Sequence, residues 1–323
     1  MTMEKDYVIT EPVLTESEIK KVGNKKVNSG YIQWISSGDK FIPSTDTIKE
    51  LPAGMYKPVW DGNVGKYIPQ NMDFNMDELF TLPVDEIDKV LLDIRKFWNN
   101  EDLYYKFKSV YKRGVLLYGI PGCGKSSIIL LLAQELIKKH NGIIFNVSNY
   151  DELNGLFEIL PYFKEIEQNR KIIIVLEDVD IFFNGNSHDE SRILNFLDGG
   201  ISIDGLVTIA TTNYPEKLQE RVVNRPSRFD RRYEIGKPNA EVRRYYIENK
   251  LKIGNLQLTK ENIEDIVDNT EGLTIDHLKE YFLSVFVLGY THDEAMKDIS
   301  EISNTKILKN SKGKSKIGFN KTQ

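Results

Sequence analysis

From Gly114 to about Gly236 the chain alternates short apolar runs with amphipathic stretches. The runs at 115–118, 143–147, 171–176, 206–210 and 233–235 are each long enough for a strand buried on both faces, since a strand covered by helices on either side has no polar face to show. The stretches at 126–140, 150–167 and 189–197 have the length and spacing of helices. Strand and helix in alternation predict a parallel sheet with crossover helices, the doubly wound α/β class.

The flanks follow other patterns. Residues 1 to about 70 set short aromatic and branched runs, such as 31–35 and 55–60, between turn signals at Asn28-Ser29-Gly30, Ser37-Gly38-Asp39 and Asp61-Gly62-Asn63. This predicts a small β-rich N-terminal module at 1–72. Over 84–107, Ile87, Val90, Leu91, Ile94, Phe97 and Trp98 fall three and four apart on one helix face, so 73–112 reads as a linker helix leading into an α/β core at 113–237. After Pro238 the periodicity turns helical at 241–251, 261–269, 275–288 and 291–302, a small C-terminal helical domain at 238–302. The remainder, 303–323, holds six lysines and no acid, with little to bury, and is expected to be a disordered tail.

Length and charge bound the functional classes. The 323 residues suit two or three domains. With 43 basic and 48 acidic residues the net charge is −5, too balanced for a protein that coats nucleic acid or an anionic membrane, so any basic site is local. The single cysteine, Cys123, leaves no internal disulfide to form and suits a reducing, cytoplasmic setting. The first residues, Met-Thr-Met-Glu-Lys-Asp, lack the apolar core of a signal peptide. The longest apolar runs fall far short of the roughly 18 residues of a membrane helix, so no membrane contact is expected.

One segment carries specific chemistry. Gly119-Ile120-Pro121-Gly122-Cys123-Gly124-Lys125-Ser126 fits the phosphate-binding pattern G-x-x-x-x-G-K-[ST] throughout, after a predicted strand and before a predicted helix. Such a loop wraps its amide N–H groups around phosphates, which needs backbone angles and close approaches that a Cβ would block. The helix beginning at Lys125 then aims its positive dipole end at the anion. Lys125 is expected to grip the β- and γ-phosphates of ATP and Ser126 to hold Mg²⁺, with Gly119 through Ser127 as the nucleotide-binding set. Lys138-Lys139-His140-Asn141-Gly142 supplies the cations and glycine of the helix's far end. Cys123 stands at a variable position, either as a small filler or as a redox switch.

About fifty residues on, the run 172–176 ends in Glu177-Asp178-Val179-Asp180. Ligands of open α/β sheets bind outside the carboxyl ends of the strands, so acids delivered there suit one Mg²⁺-holding carboxylate and one that orients the attacking water. A solvated acidic turn is the plainer alternative.

These motifs together resemble the AAA family of ATPases, over roughly residues 113–288. The match runs through Arg113-Gly-Val-Leu-Leu-Tyr-Gly-Ile-Pro-Gly-Cys-Gly-Lys-Ser, then Leu176-Glu-Asp-Val-Asp, Ile209-Ala-Thr-Thr-Asn213 and Arg225-Pro-Ser-Arg-Phe-Asp-Arg231, in family order. Among subfamilies it looks nearest to the mitochondrial Rieske-protein translocase (BCS-type) branch, which shares the Leu-Glu-Asp order and a Leu-Asn-x-Leu-Asp-Gly stretch, here 194–199. That branch's membrane helix is missing here. The resemblance implies a P-loop NTPase fold whose C-terminal helical domain is a lid, with Glu177 on the magnesium position and Asp178 on the water-activating one. That is the reverse of the family's usual Asp-then-Glu order, and the shorter Asp178 has to sit closer or work through an extra water. It also implies that Asn213 is the polar sensor of the attacking water, although an ordinary turn residue would read the same way. Arg228 and Arg231 become arginine fingers reaching into a neighbouring subunit's site, or surface salt-bridge partners of the intervening Asp230. The segment 271–278 matches the start of the lid helix without an arginine for a second sensor. The region after Val147 lacks a clear aromatic-apolar pair for threading, though Tyr150 or Phe157 could serve.

Fingers acting in trans imply a ring, in this family usually a hexamer. The favoured function is an ATP-driven remodeller of an unknown protein client, with the N-terminal module selecting it. The rivals are a DNA-associated AAA ATPase of the clamp- or helicase-loader type, its lysine tail on phosphate backbone, and a nucleotide-gated binding module in which the swapped carboxylates leave hydrolysis slow.

Overall fold

The computed structural model describes residues 33–37, 40–44, 48, 50–62, 64–72, 84–167, 170–183, 187–200, 204–218, 222, 225 and 227–304. The chain divides into two units, Met1–Pro52 and Ala53–Gln323. In the first, β1 (Gln33–Ser37) and β2 (Lys40–Ser44) pair antiparallel, with Gln33 opposite Ser44 and Ser37 opposite Lys40. The turn signals expected at 28–30 and 38–39 lie outside the described residues.

The second unit is built on a seven-stranded sheet of β3 (Gly54–Asp61), β4 (Lys66–Asn71), β5 (Lys112–Tyr118), β6 (Ile143–Val147), β7 (Ile172–Leu176), β8 (Leu206–Thr212) and β9 (Arg231–Glu234). Their order is β4-β3-β6-β7-β8-β5-β9. Every neighbouring pair is parallel except the β3–β4 hairpin. From β5 the chain crosses over β8 and β7 to β6, and from β8 it crosses the other way over β5 to β9. The connections that leave β5 and β8 therefore run in opposite directions from their shared border, the topology that opens a ligand crevice beyond the strands' carboxyl ends. The strands hold because they are apolar on both faces. All five residues of β7 and all seven of β8 are buried, and each large aliphatic among them contributes about 1.5–3 kcal/mol by leaving water.

Two expectations about the N-terminal side are corrected by this topology. Residues 54–71 do not belong to a separate module ending at 72, because β3 and β4 complete the main sheet. Met55 pairs in parallel with Ile144, and Met55 and Tyr56 are 5% and 3% exposed. The physical reason is the outer edge of β6, whose backbone N–H and C=O groups would otherwise stand unpaired beside a buried core. β4 closes the sheet with Lys66 and Pro69, residue types that discourage further pairing.

Nor is the segment 84–107 a free linker. It forms α1 (Asp85–Asn99) and α2 (Glu101–Lys106), and the apolar face of α1 is part of the main core. Ile87, Val90, Ile94, Phe97 and Trp98 pack in one cluster with Ile128, Leu132 and Leu136 of α3 (Lys125–His140). Two bidentate ion pairs reinforce the attachment: Arg95 donates to both Glu135 oxygens at 2.5 and 2.7 Å, and Arg113 to both Asp93 oxygens at 2.9 and 2.5 Å. The remaining core helices are α4 (Tyr150–Ile166) and α5 (Ser187–Asp198).

After Pro238 come α6 (Ala240–Ile253), α7 (Lys260–Asn269), α8 (Ile275–Phe286) and α9 (His292–Asn304). Their starts are set by local chemistry. Asn239, Thr259, Thr274 and Thr291 each accept a backbone N–H of the first turn, and at α9 Glu294 accepts in return from the Thr291 N–H at 2.9 Å. The 5%-exposed Arg243 joins two of these helices by donating to the carbonyls of Pro238 and Val267. Helix α9 takes in Ser303 and Asn304, and the rest of the expected tail lies outside the described residues.

Because α1 is a core element, Ile94→Ala should lower unfolding stability in urea by about 2–4 kcal/mol. A helix that merely linked two domains would give a change below about 0.5 kcal/mol.

Candidate active site

The glycine-rich segment joins β5 to α3 at the crevice. Gly119 has φ 144°, and a Cβ there would lie 2.3 Å from the Ile235 carbonyl oxygen, so no other residue fits. Gly124 has φ 98° and caps α3, yet a Cβ placed on it would meet no atom within 4 Å. The loop thus curls around open space. A cavity of 240 Å³ occupies that space, lined among others by Lys125, Ser126, Glu177, Asp178, Asn213 and Asp276.

The start of α3 and the ends of β7 and β8 deliver the polar side chains. Lys125, 8% exposed, donates to the carbonyls of Gly119 at 2.8 Å and Ile120 at 3.1 Å and to Asn213 Oδ1 at 2.6 Å, which satisfies all three ammonium donors. Asn213, just past β8, donates its own amide to Asp178 Oδ1 at 3.1 Å. That amide therefore has only one workable orientation, oxygen toward the ammonium and nitrogen toward the carboxylate. Asp178 follows β7 in a left-handed conformation, φ 45° and ψ 53°, and its N–H donates to Thr211 Oγ1 at 3.1 Å. Burial lowers the Lys125 pKa and raises that of Glu177; at Glu177 a hydrogen bond from Asn146 opposes the rise. Asn146 Oδ1 is buried without a hydrogen-bond partner.

Some predicted residues fall elsewhere. Asp180 turns away from the cavity and accepts from Thr212 Oγ1 at 2.6 Å, tying the turn after β7 to the end of β8. Arg228 departs from the expectation of a finger directed at a neighbouring subunit. It is 5% exposed and clasps Asp198 of its own chain through Nε at 2.9 Å and a terminal nitrogen at 2.8 Å, and this pair holds because either charge left alone there would be desolvated and unmatched. Arg231, 58% exposed on β9, reaches no nearer than 3.6 Å to Asp93, whose oxygens Arg113 already occupies. Tyr150 packs edge-on against Phe182, and Phe157 packs against Phe196 and under the Arg192 guanidinium, so both are engaged within the chain. Cys123 is 6% exposed, and burial pushes its thiol up, away from the reactive thiolate.

The sequence reading missed several groups. Asp198 lay inside a stretch used only for resemblance. Asp276 sits in the segment inspected for an arginine, and only the fold brings it to the loop, where its N–H donates to the Gly122 carbonyl at 3.1 Å. A second cavity of 630 Å³ adjoins the loop at Cys123 and is lined by Glu86, Ile235, Lys237, Val242 and Ile275. It joins the start of α1, the segment after β9 and the helical domain, and no local pattern announces such a meeting.

Residues 115–237 match the sequence profile of the ATPase family associated with various cellular activities (AAA). The chain carries an AAA ATPase domain. Curated relatives of this domain include the mitochondrial chaperone BCS1 of Bos taurus, 32% identical over 167 residues, which are 46% of this chain and 37% of that protein. A probable mitochondrial chaperone bcs1 of Schizosaccharomyces pombe is 34% identical over 163 residues, 46% of this chain and 34% of its own length. The ATP-dependent zinc metalloprotease FtsH of Acidobacterium capsulatum is 30% identical over 176 residues, 50% of this chain and 27% of the protease. The chain thus spans well under half the length of these relatives. No helix among the described residues is long and apolar enough to cross a membrane.

In this AAA domain Cys123 should react slowly with iodoacetamide at neutral pH and quickly once urea unfolds the chain. Rapid alkylation of the folded protein, followed by mass spectrometry, would show the loop to be open. Gly119→Ala should abolish nucleotide retention or folding, measured by filter binding and thermal melting.

Proposed function

We propose that this protein is an ATP-driven remodeller of a protein client that works as a ring, with a hexamer as the expected assembly. The observation that carries the catalytic part is the chain of hydrogen bonds from the Lys125 ammonium through the Asn213 amide to the Asp178 carboxylate. It fixes the spacing of the Lys125 ammonium and the Asp178 carboxylate across one cavity, an arrangement that suits in-line attack by water on a terminal phosphate.

The residues present fit a magnesium nucleotide. The loop curls around open space at Gly124, its one cation is Lys125, and Ser126 and Glu177 line the same cavity. Mg²⁺ would be held by the Ser126 hydroxyl and the Glu177 carboxylate, and when bound it neutralises phosphate charge. Among the described residues no three His, Cys, Asp or Glu side chains form a metal cage, so phosphate and water would complete its coordination.

On nucleotide binding the Lys125 ammonium exchanges its carbonyl and amide acceptors for oxygens of the β- and γ-phosphates. The backbone N–H groups from Gly119 to Ser127, Pro121 excepted, and the dipole of α3 share that charge. Asn213, released from the ammonium, keeps its donor on Asp178 and orients the attacking water with its oxygen. Asp178, held by the Asn213 amide at the cavity wall, accepts the water's proton. The adjoining 630 Å³ cavity takes the base and ribose.

Arg231 is the residue we assign as the arginine finger in trans, since a planar, permanently charged fork suits phosphate oxygens and its side chain stands largely in solvent. Arg228 shapes the same turn through Asp198. The helical domain acts as the lid, and the N-terminal unit selects the client. The buried, single thiol suits a cytoplasmic setting.

Lys125→Ala should lose ATP binding in equilibrium dialysis. Asp178→Asn should keep binding while phosphate release falls about 10²–10⁴-fold, and equal rates would mean that Asp178 is not the base. Arg231→Ala should bind ATP and lose about 10³-fold in turnover; mixing it with Asp178→Asn subunits should restore part of the activity, and no recovery would mean that sites are not shared. A crosslinked pull-down with the Asp178→Asn variant, loaded with ATP, tests the client directly. Capture of DNA instead of protein would overturn the remodeller.

A further inference from the structure

Of the described residues lining the 240 Å³ cavity, Asp276 is the one that comes from the helical domain. It is the second residue of α8. Its N–H donates to the Gly122 carbonyl at 3.1 Å, and a Cβ on Gly122 would stand 3.0 Å from Asp276 Oδ2 and 2.9 Å from Thr274 Oγ1. Loop and helix therefore touch directly, with no side chain between them. The cavity sets one ammonium, Lys125, against the carboxylates of Glu177, Asp178 and Asp276, and Asp276 is near enough for its charge to favour the charged ammonium. Glu177 and Asp178 have work in hydrolysis. Asp276 has none there, and an anion at the phosphate site opposes nucleotide binding.

We propose that Asp276 is a release-promoting residue: its carboxylate repels the phosphates of a bound nucleotide, shortens the residence of the nucleoside diphosphate, and ties the position of α8 to occupancy of the loop. The geometry serves both ends. The Asp276 N–H holds the helix against the loop while the cavity is free of phosphate, and the carboxylate beside it presses the two apart when phosphate enters. Lys125 balances that repulsion most fully for a triphosphate, whose γ-phosphate it also contacts, and less for the diphosphate left after hydrolysis. The inference rests on the cavity being a nucleotide site.

A plain structural role for Asp276 predicts the opposite sign. An acid in the first turn stabilises a helix through the dipole, so losing its charge would loosen α8 from the loop and speed release. The test is the dissociation of a fluorescent ADP analogue from the 323-residue chain with magnesium, chased with excess ADP in a stopped-flow instrument. Asp276→Asn should slow dissociation about five- to tenfold, the effect of one unit charge close to the phosphates in a partly solvated cavity. Asp276→Glu, which keeps the charge, should stay near the unaltered protein. Faster or unchanged dissociation in Asp276→Asn overturns the proposal, as does equal slowing in Asp276→Glu. If the unaltered protein fails to bind the analogue, the nucleotide site itself is refuted; if it binds and Lys125→Ala does not, a negative result at Asp276 counts against this inference alone.

Discussion

The site depends on one side-chain amide. Asn213 accepts from an ammonium that is almost out of water and donates to a carboxylate on the next strand, so it joins the ends of β5, β8 and β7 in a single polar path. A buried ammonium is costly without full hydrogen bonding, and here Lys125 needs Asn213 as its third acceptor. This is possible only because β8 lies between β7 and β5, an order set by the crossovers that also open the crevice. The apolar strands behind it do not specify the chemistry. They hold three strand ends close enough for 2.6 and 3.1 Å contacts to persist.

The structure also extends the domain beyond the matched range. The AAA match covers 115–237, yet β3 and α1 lie before it and are parts of the same core. Each answers a local need: β3 pairs the exposed edge of β6, and α1 covers α3 with five buried side chains and is tied by one bidentate ion pair to α3 and by another to β5. The start of α1 then helps to wall the 630 Å³ cavity, so the segment outside the match shapes that cavity as well as the core.

Most of the fold was legible because its signals are local. Runs such as 172–176 have no polar position and could only be buried strands, and the glycine-rich loop stands, as its pattern predicts, between a strand and a helix. The four helix starts after Pro238 follow from capping chemistry at Asn239, Thr259, Thr274 and Thr291. What escaped was whatever depends on distant partners. The run 55–60 is apolar enough for a strand of any sheet, and nothing in it names β6 as its neighbour. The spacing of α1 shows an apolar face without saying what covers it. The partnership of Arg228 with Asp198 spans thirty positions and converts an expected outward finger into an internal clasp. Asp276 is an unremarked residue in a helix start until the chain folds it over Gly122.

The central claim is that Asn213 couples phosphate binding by Lys125 to water activation by Asp178. The most direct measurement is steady-state phosphate release by Asn213→Ala at saturating magnesium and ATP. The account predicts a fall of about 10²-fold or more, while ATP is still retained. A rate equal to that of the unaltered protein would contradict it.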